Sequence, residues 1–310
     1  MALADIPVVF VIGAPRSGTT WFQLMLGSHP EIATPVELAF FSNYVSPWYD
    51  AWTRQIEGGA GEIKPAYWGV PAALTESEFE EAVGLVAERI YRAVLAAKPG
   101  STVLVEKDPQ YCECVDAILR TVPHAKFVHV IRDGRDVACS MMRVAQSWGG
   151  AWAPERAGAA GVLWRDCVRA VRAARTAPGG YVEVRYEDLL AEAGPGALRE
   201  VFSFCGVDDD AGLAAKLYER YRYPSHTKEE VLSGGLTWSG ETVRAGADVS
   251  FPEDFIGPAT AGVWKEVFRP EDREAFDLAA GDLLVDLGYE PDRSWAGSPA
   301  RGWTPIPSRG

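Results

Sequence analysis

The sequence predicts an α/β fold: a single domain with a central parallel sheet flanked on both faces by helices. Three observations carry that prediction. Short β-branched runs alternate along the chain with segments of helical periodicity, and such alternation builds a parallel sheet because each strand returns through a crossover helix. The first run, Val8-Val9-Phe10-Val11-Ile12, ends in a loop of small residues that leads straight into a helical start. The residues with chemistry to offer fall just after strands, where ligands of open α/β sheets sit.

Taken in order, 8–12 is the first strand, and Trp21, Leu24 and Met25 give the periodicity of a helix over about 19–27. Residues 28–71 read as irregular and rich in aromatics: Phe40, Phe41, Tyr44, Trp48, Tyr49, Trp52, Tyr67 and Trp68. Thr75-Glu76-Ser77-Glu78 is a capping box opening a helix that runs to about 97. A second strand covers 102–106, a helix 109–120 and a third strand 125–131. A helix over 134–142 precedes a Gly/Trp/Pro loop at 147–158, and another helix occupies about 159–176. The fourth strand is 181–185, helices resume from 187 to about 220, and 221–260 is irregular with Pro, Gly and Ser throughout. A helix near 270–287 closes the domain, and 291–310 reads as a flexible tail. There is no internal repeat.

The 310 residues suffice for one large α/β domain, and 47% hydrophobic with 24% charged residues is a globular composition. A formal net charge of −13 argues against nucleic acid as a partner, while leaving room for a local basic pocket that takes a small anion. No run approaches the ~18 apolar residues of a membrane span, and the N-terminal run lacks the basic flank of a signal peptide. Five cysteines suggest a reducing compartment; Cys112 and Cys114 have no second cluster to make a metal site and read as buried helix residues. A cytoplasmic protein is expected, with no metal and no membrane partner.

The first turn carries the strongest functional signal. Gly13-Ala14-Pro15-Arg16-Ser17-Gly18-Thr19-Thr20-Trp21 joins strand to helix, so backbone N–H groups converge beside the positive end of a helix dipole. The spacing Gly13-x4-Gly18-Thr19-Thr20 approaches the nucleotide-binding P-loop, with Thr19 where that loop has its lysine and the cation moved inside as Arg16. After the third strand comes Arg132-Asp133-Gly134-Arg135-Asp136. Arg132 is placed to face the crevice, and Ser140, one to two helical turns on, offers a hydroxyl on the same side. A guanidinium fork with a hydroxyl suits a terminal phosphate, although Arg–Asp pairs also cap many helix starts. Two such sites at neighbouring strand ends fit a nucleotide with phosphates at both ends of its ribose.

These residues resemble the sulfotransferases that use 3′-phosphoadenosine 5′-phosphosulfate (PAPS). Pro15 to Trp21 is similar to their 5′-phosphosulfate loop, and Val130 to Ser140 to their 3′-phosphate strand–turn–helix. Lys107-Asp108-Pro109 and Ala125-Lys126-Phe127 look most like the tyrosylprotein branch. The resemblance is firm over 8–143 and thinner beyond. It implies a sulfotransferase domain over 1–290, with a nucleotide-binding core at about 7–206 and an acceptor or lid region at about 28–71 and 221–260. By this resemblance Arg16, Ser17, Gly18, Thr19, Thr20 and Trp21 hold the 5′ end, Arg132 and Ser140 hold the 3′-phosphate, and Tyr186 lies near the nucleotide. Gly262-Val263-Trp264-Lys265 is similar to the end of the family's third nucleotide-binding stretch, which brings in Lys265. Gly257-Pro258 stands where cytosolic enzymes have a basic pair, leaving the 3′-phosphate clamp at that end open.

Sulfuryl transfer requires a base for the acceptor hydroxyl, in-line positioning and cations against charge on the leaving oxygen. Lys107, directly after the second strand, is placed to act with Arg16 on that oxygen; a plain surface lysine is the alternative. Glu37, whose offset from Arg16 equals that of the catalytic glutamate in the tyrosylprotein branch, is the preferred base, and it would need burial or a hydrogen bond to serve. His226 is the rival. His129 reads as core, His124 as a turn residue and His29 as closing the first helix. Ser250 matches a catalytic-site serine of that branch by its offset from Lys265 alone. The aromatics of 40–68, with Trp148, Trp152 and Trp238, either line an acceptor pocket or pack a second layer. The expected acceptor is a small molecule bearing a hydroxyl: a phenol, a sugar or a lipid alcohol. A P-loop kinase of small molecules and a silent nucleotide-binding scaffold are the other two readings; the first lacks its loop lysine, and the second needs neither Lys107 nor Glu37.

Overall fold

Val8–Ile12 (β1) lies at the centre of a five-stranded, wholly parallel sheet. Val103–Glu106 (β3) and Lys126–Ile131 (β4) flank it; Ile32–Ala33 (β2) extends the sheet beyond β3 and Tyr181–Arg185 (β5) beyond β4. This computed structural model describes residues 3–57, 69–221 and 260–297.

Alternation along the strands divides the core into two layers. Val8, Phe10 and Ile12 of β1 point with Leu104 and Phe127 into one layer, while Val9 and Val11 point with Val105, Val128 and Val130 into the other. Helices α3 (Glu76–Ala97), α4 (Val115–Thr121), α5 (Gly134–Ala145), α6 (Ala157–Arg172) and α10 (Pro270–Asp286) cover the first layer. The second is covered by α1 (Thr19–Gly27), α7 (Tyr186–Leu190), α8 (Gly194–Cys205) and α9 (Ala211–Tyr221). Full burial of an aliphatic or Phe side chain contributes about 1.5–3 kcal/mol, so these layers, rather than helix propensity, hold the sheet. The chain leaves β1 toward β3 and leaves β4 toward β5. The switch point therefore falls between β1 and β4, where a crevice forms at the carboxyl ends.

Several expectations need correction. The stretch 28–71 is not wholly irregular: a π-helical turn at Phe41–Val45 runs into α2 (Ser46–Glu57). Of its six aromatics among the described residues, Phe40, Phe41, Tyr49 and Trp52 are buried in the core, with Trp52 stacked on Phe79 at 4.7 Å; Tyr44 is half exposed. The helix expected at 109–120 breaks at Cys114 into a 3-10 turn, Pro109–Glu113, and the short α4. Residues 293–296, expected in a flexible tail, form a 3-10 turn whose Trp295 packs edge-on against Trp264 at 5.5 Å. His29 follows the end of α1 as expected, its N donating to the Leu26 carbonyl at 3.0 Å. Burial lowers its pKa and its Nε2 meets the Asp208 carbonyl; Lys98 supplies the cation at this end, reaching the Gly27, His29 and Ile32 carbonyls at 2.6–2.7 Å. Tyr67, Trp68, His226, Trp238, Ser250 and Gly257-Pro258 lie outside the described residues. Among the described residues no helix is long and apolar enough to cross a membrane.

Candidate active site

Two glycines shape the first turn. A Cβ on Gly13 would sit 2.5 Å from the Val130 carbonyl oxygen of β4, and one on Gly18, at φ +90°, would meet the Tyr186 ring at 2.5 Å. Between them Arg16 adopts φ +72°, a left-handed conformation that costs an L-residue about 1–2 kcal/mol. The loop therefore holds strain at the residue expected to grip an anion. Among the described residues the N-terminus of α1 has no side-chain cap, and its first amides, which lack intrahelical acceptors, are the kind of donors that take an anion. Ser17 Oγ is fully buried beside them without a hydrogen-bond partner among the described residues.

The second turn meets the first directly. Arg16 Nε donates to Ser140 Oγ on α5 at 3.0 Å, and Arg132 Nη1 donates to the Arg16 carbonyl at 3.2 Å. Arg132 Nη2 donates to the Thr260 carbonyl at 3.0 Å, and its guanidinium lies over the Tyr186 ring, 4.4 Å from the centroid. Its Nε is buried and has no partner among the described residues. Ser17 Oγ and Arg132 Nε are thus buried polar atoms without partners on the two adjoining turns. Such atoms cost about 1–3 kcal/mol each unless a ligand satisfies them. The donor set fits a nucleotide with phosphates at its 5′ and 3′ positions.

The rest of the Arg132–Asp136 run is structural. Asp133 caps α5 by accepting from Arg135 N at 2.9 Å. Arg135 is buried, ion-paired to Asp133 and Glu290 and stacked on Trp264, 3.7 Å from the ring centroid. Asp136 accepts from Gly262 N at 2.7 Å and Trp264 N at 3.0 Å, which brings 260–265 to the Arg132 side of the crevice. Burial raises the Asp136 pKa, and the Trp264 and Gly262 amides hold it down. Lys265 stands exposed there, its ammonium 5.9 Å from the Trp264 ring centroid.

Strand alternation explains the acidic–basic pair at the end of β3. Glu106 pairs in register with Phe10 and shares its layer; the next residue, Lys107, turns toward α1 and donates to Thr20 Oγ1 at 3.0 Å. Lys107 is 1% exposed and forms an ion pair with Glu37. The expected cation and base therefore meet each other and the first turn at one point, and Glu37, about one-third exposed, finds a cation rather than an apolar wall. Thr19 is buried under the loop. Trp21, expected to contact the nucleotide, is core: its indole N–H donates to the Tyr221 carbonyl at 2.8 Å and its ring packs edge-on against Tyr186. Trp148 lies beside Arg16, 5.6 Å from guanidinium carbon to ring centroid, and contacts Trp152.

His129 is core, as expected. Its Nδ1 meets Tyr181 Oη at 2.6 Å, and burial lowers its pKa to about 3. His124 Nε2 meets the Ile6 carbonyl at 2.9 Å. Sequence reasoning passed over Glu106 and Asp136. A charged residue closing an otherwise apolar strand was the available signal for the first, and a second Asp one turn into the helix for the second.

Comparison with known proteins places the chain in a family and agrees with the fold. A model of the sulfotransferase family matches residues 7–211. Protein-tyrosine sulfotransferase 1 of Homo sapiens is 29% identical over 140 residues, 44% of this chain and 34% of that protein. Nodulation protein NoeE of Sinorhizobium fredii is 24% identical over 312 residues, 93% of this chain and 67% of that protein. The chain spans between about a third and 60% of the length of the tyrosine sulfotransferases that it matches. Among solved structures, the sulfotransferase domain from the Synechococcus PCC 7002 olefin synthase has a TM-score of 0.55 at 20% identity, covering 90% of this chain and 95% of that one. Mouse sulfotransferase SULT7A1 complexed with PAP has a TM-score of 0.53 at 15% identity, covering 92% and 84%.

Proposed function

Because this chain belongs to the sulfotransferase family, we propose that it moves the sulfuryl group of PAPS to an acceptor hydroxyl and releases PAP. The observation that carries the proposal is the meeting of Lys107, Thr20 and Glu37 at the mouth of the first turn. In this reading Arg16, Ser17 Oγ and the amides and hydroxyls of Gly18-Thr19-Thr20 hold the 5′-phosphosulfate. Arg132 and Ser140 hold the 3′-phosphate, and Tyr186 stacks beneath Arg132 near the nucleotide. Lys265 contributes only if it folds back over the crevice. The acceptor oxygen attacks sulfur in line, its proton passes to the Glu37 carboxylate, and the bond from sulfur to the bridging phosphate oxygen breaks. Lys107 and Arg16 offset the charge that gathers on that oxygen. A donor bound between them displaces Glu37 from Lys107 toward the acceptor. Two protein cations suffice because a sulfuryl group carries less charge than a phosphoryl group.

In this reading the acceptor is a small-molecule alcohol or phenol, and Trp148, which lies 5.6 Å from the Arg16 guanidinium and contacts Trp152, is the aromatic that supports a pocket for it. The test is incubation with PAPS and a panel of phenols, sugars and lipid alcohols, read by mass. Gain of one SO₃ unit on an acceptor supports the reading. Transfer of a phosphoryl group from ATP in its place, or nucleotide binding with no transfer to any member of the panel, counts against it.

A further inference from the structure

We propose that Glu106 and Tyr111 are positioning residues that set Glu37 through the backbone of Phe40, an inference that rests on Glu37 being the base. Glu106 is completely buried, with Tyr111 Oη donating to its Oε1 and Tyr91 Oη to its Oε2 at 2.5 Å. Both tyrosines are buried and come from different elements, Tyr91 from α3 and Tyr111 from the 3-10 turn after Lys107-Asp108. A buried carboxyl is costly unless its oxygens are satisfied, and here each oxygen has one hydroxyl. The Tyr111 hydroxyl also reaches the loop that carries Glu37, where its oxygen accepts from Phe40 N at 3.1 Å.

That amide lies three residues beyond Glu37 and directly after Ala39, which adopts φ +48°. Arg16 and Ala39 are the two non-glycine residues with positive φ among those described, one in the anion loop and one beside the candidate base. A left-handed alanine persists only where its surroundings over-determine it. The upstream side of the same loop is also tied: Gln23 Nε2 of α1 donates to Thr34 Oγ1 at 2.9 Å and to the Pro35 carbonyl at 2.8 Å. The segment bearing Glu37 is therefore pinned at both ends, by Gln23 before it and by the Glu106–Tyr111 pair after it. Glu106 and Lys107 are consecutive, so β3 sends one side chain to hold the ion pair and the other to hold the turn behind it.

The experiment measures kcat, KM and PAP affinity for Tyr111→Phe, Glu106→Gln, Glu37→Gln and the Glu37→Gln/Tyr111→Phe double variant. Neither Glu106 nor Tyr111 contacts the anion cradle, so PAP affinity should hold within a factor of about two, which also reports that each variant is folded. Tyr111→Phe strips Phe40 N of its acceptor and should lower kcat roughly tenfold to a hundredfold. Glu106→Gln replaces one acceptor oxygen with a donor and should give a smaller loss in the same direction. In the Glu37→Gln background Tyr111→Phe should cost nothing further, because it acts only through the group already removed. Full kcat in Tyr111→Phe alongside a crippled Glu37→Gln overturns the positioning role alone. Full activity in Glu37→Gln overturns the underlying assignment of the base. If Tyr111→Phe costs as much in the double variant as by itself, its effect is general destabilisation and the inference fails.

Discussion

Arg132 offers a prediction whose size follows from its contacts. Two of its nitrogens are spent on the Arg16 and Thr260 carbonyls and its face on Tyr186, while its buried Nε has no partner among the described residues. A 3′-phosphate seated there gains at least one charge-assisted hydrogen bond from a guanidinium already held in place. Such a bond is worth about 1.5–3 kcal/mol. Arg132→Lys keeps the charge but loses the fork and the stacking. We expect the Kd for PAP to rise about 10- to 150-fold, taking 1.4 kcal/mol per factor of ten. Adenosine 5′-phosphate, which lacks the 3′-phosphate, should bind both proteins equally to within about threefold. Titration calorimetry of the two proteins with the two nucleotides closes a four-way cycle. Equal weakening of both nucleotides would refute the reasoning, since the effect would then be loss of the loop rather than of a phosphate contact.

Three further outcomes follow. Lys107→Met should lower kcat by about 10²–10³ with little change in PAP affinity, read by steady-state kinetics and titration; a loss confined to KM would contradict a role on the leaving oxygen. His129, held neutral by burial with a pKa of about 3, takes up a proton far more readily once unfolded. Its folded-state pKa is depressed below the ordinary 6.5, so stability falls as pH drops from about 6.5 toward 3, and denaturant titrations across that range should show a slope that His129→Gln flattens. Gly18→Ala should abolish nucleotide binding and destabilise the fold, because the new methyl meets the Tyr186 ring in a backbone conformation that strains alanine; unchanged PAP affinity would contradict the packing described.

The elements legible in the sequence were those with local causes. The β-branched runs of β1, β3 and β4 announce themselves because all three lie inside the sheet, β5 shows at its edge by the alternation of Val182 and Val184 with charged neighbours, and the Thr75–Glu78 box marks α3 by its own hydrogen bonds. β2 has only two residues and no pattern to display. Helix α2 escaped because its aromatics read equally as pocket or core, and only the packing of Trp52 on Phe79 decides. In the site, Arg16 was visible as the cation inside the first loop, and Lys107 and Arg132 as strand-end cations. Arg132 and Arg135 look alike in sequence and both are buried, yet Arg132 bonds only the Arg16 and Thr260 carbonyls among the described residues, whereas Arg135 is ion-paired to Asp133 and Glu290 and stacked on Trp264. Glu106, Tyr111 and Gln23 were invisible for a different reason: each acts on a segment distant in sequence, through contacts that exist only once the sheet is assembled.

Calorimetric titration of the purified protein with PAP and, separately, with ATP and Mg²⁺ tests the central claim most directly. The account predicts saturable one-to-one binding of PAP and binding of ATP weaker by about a hundredfold or more, since ATP brings no 3′-phosphate to Arg132 and finds Thr19 where a P-loop supplies lysine. Tighter binding of ATP, or equal affinity for the two, would contradict it.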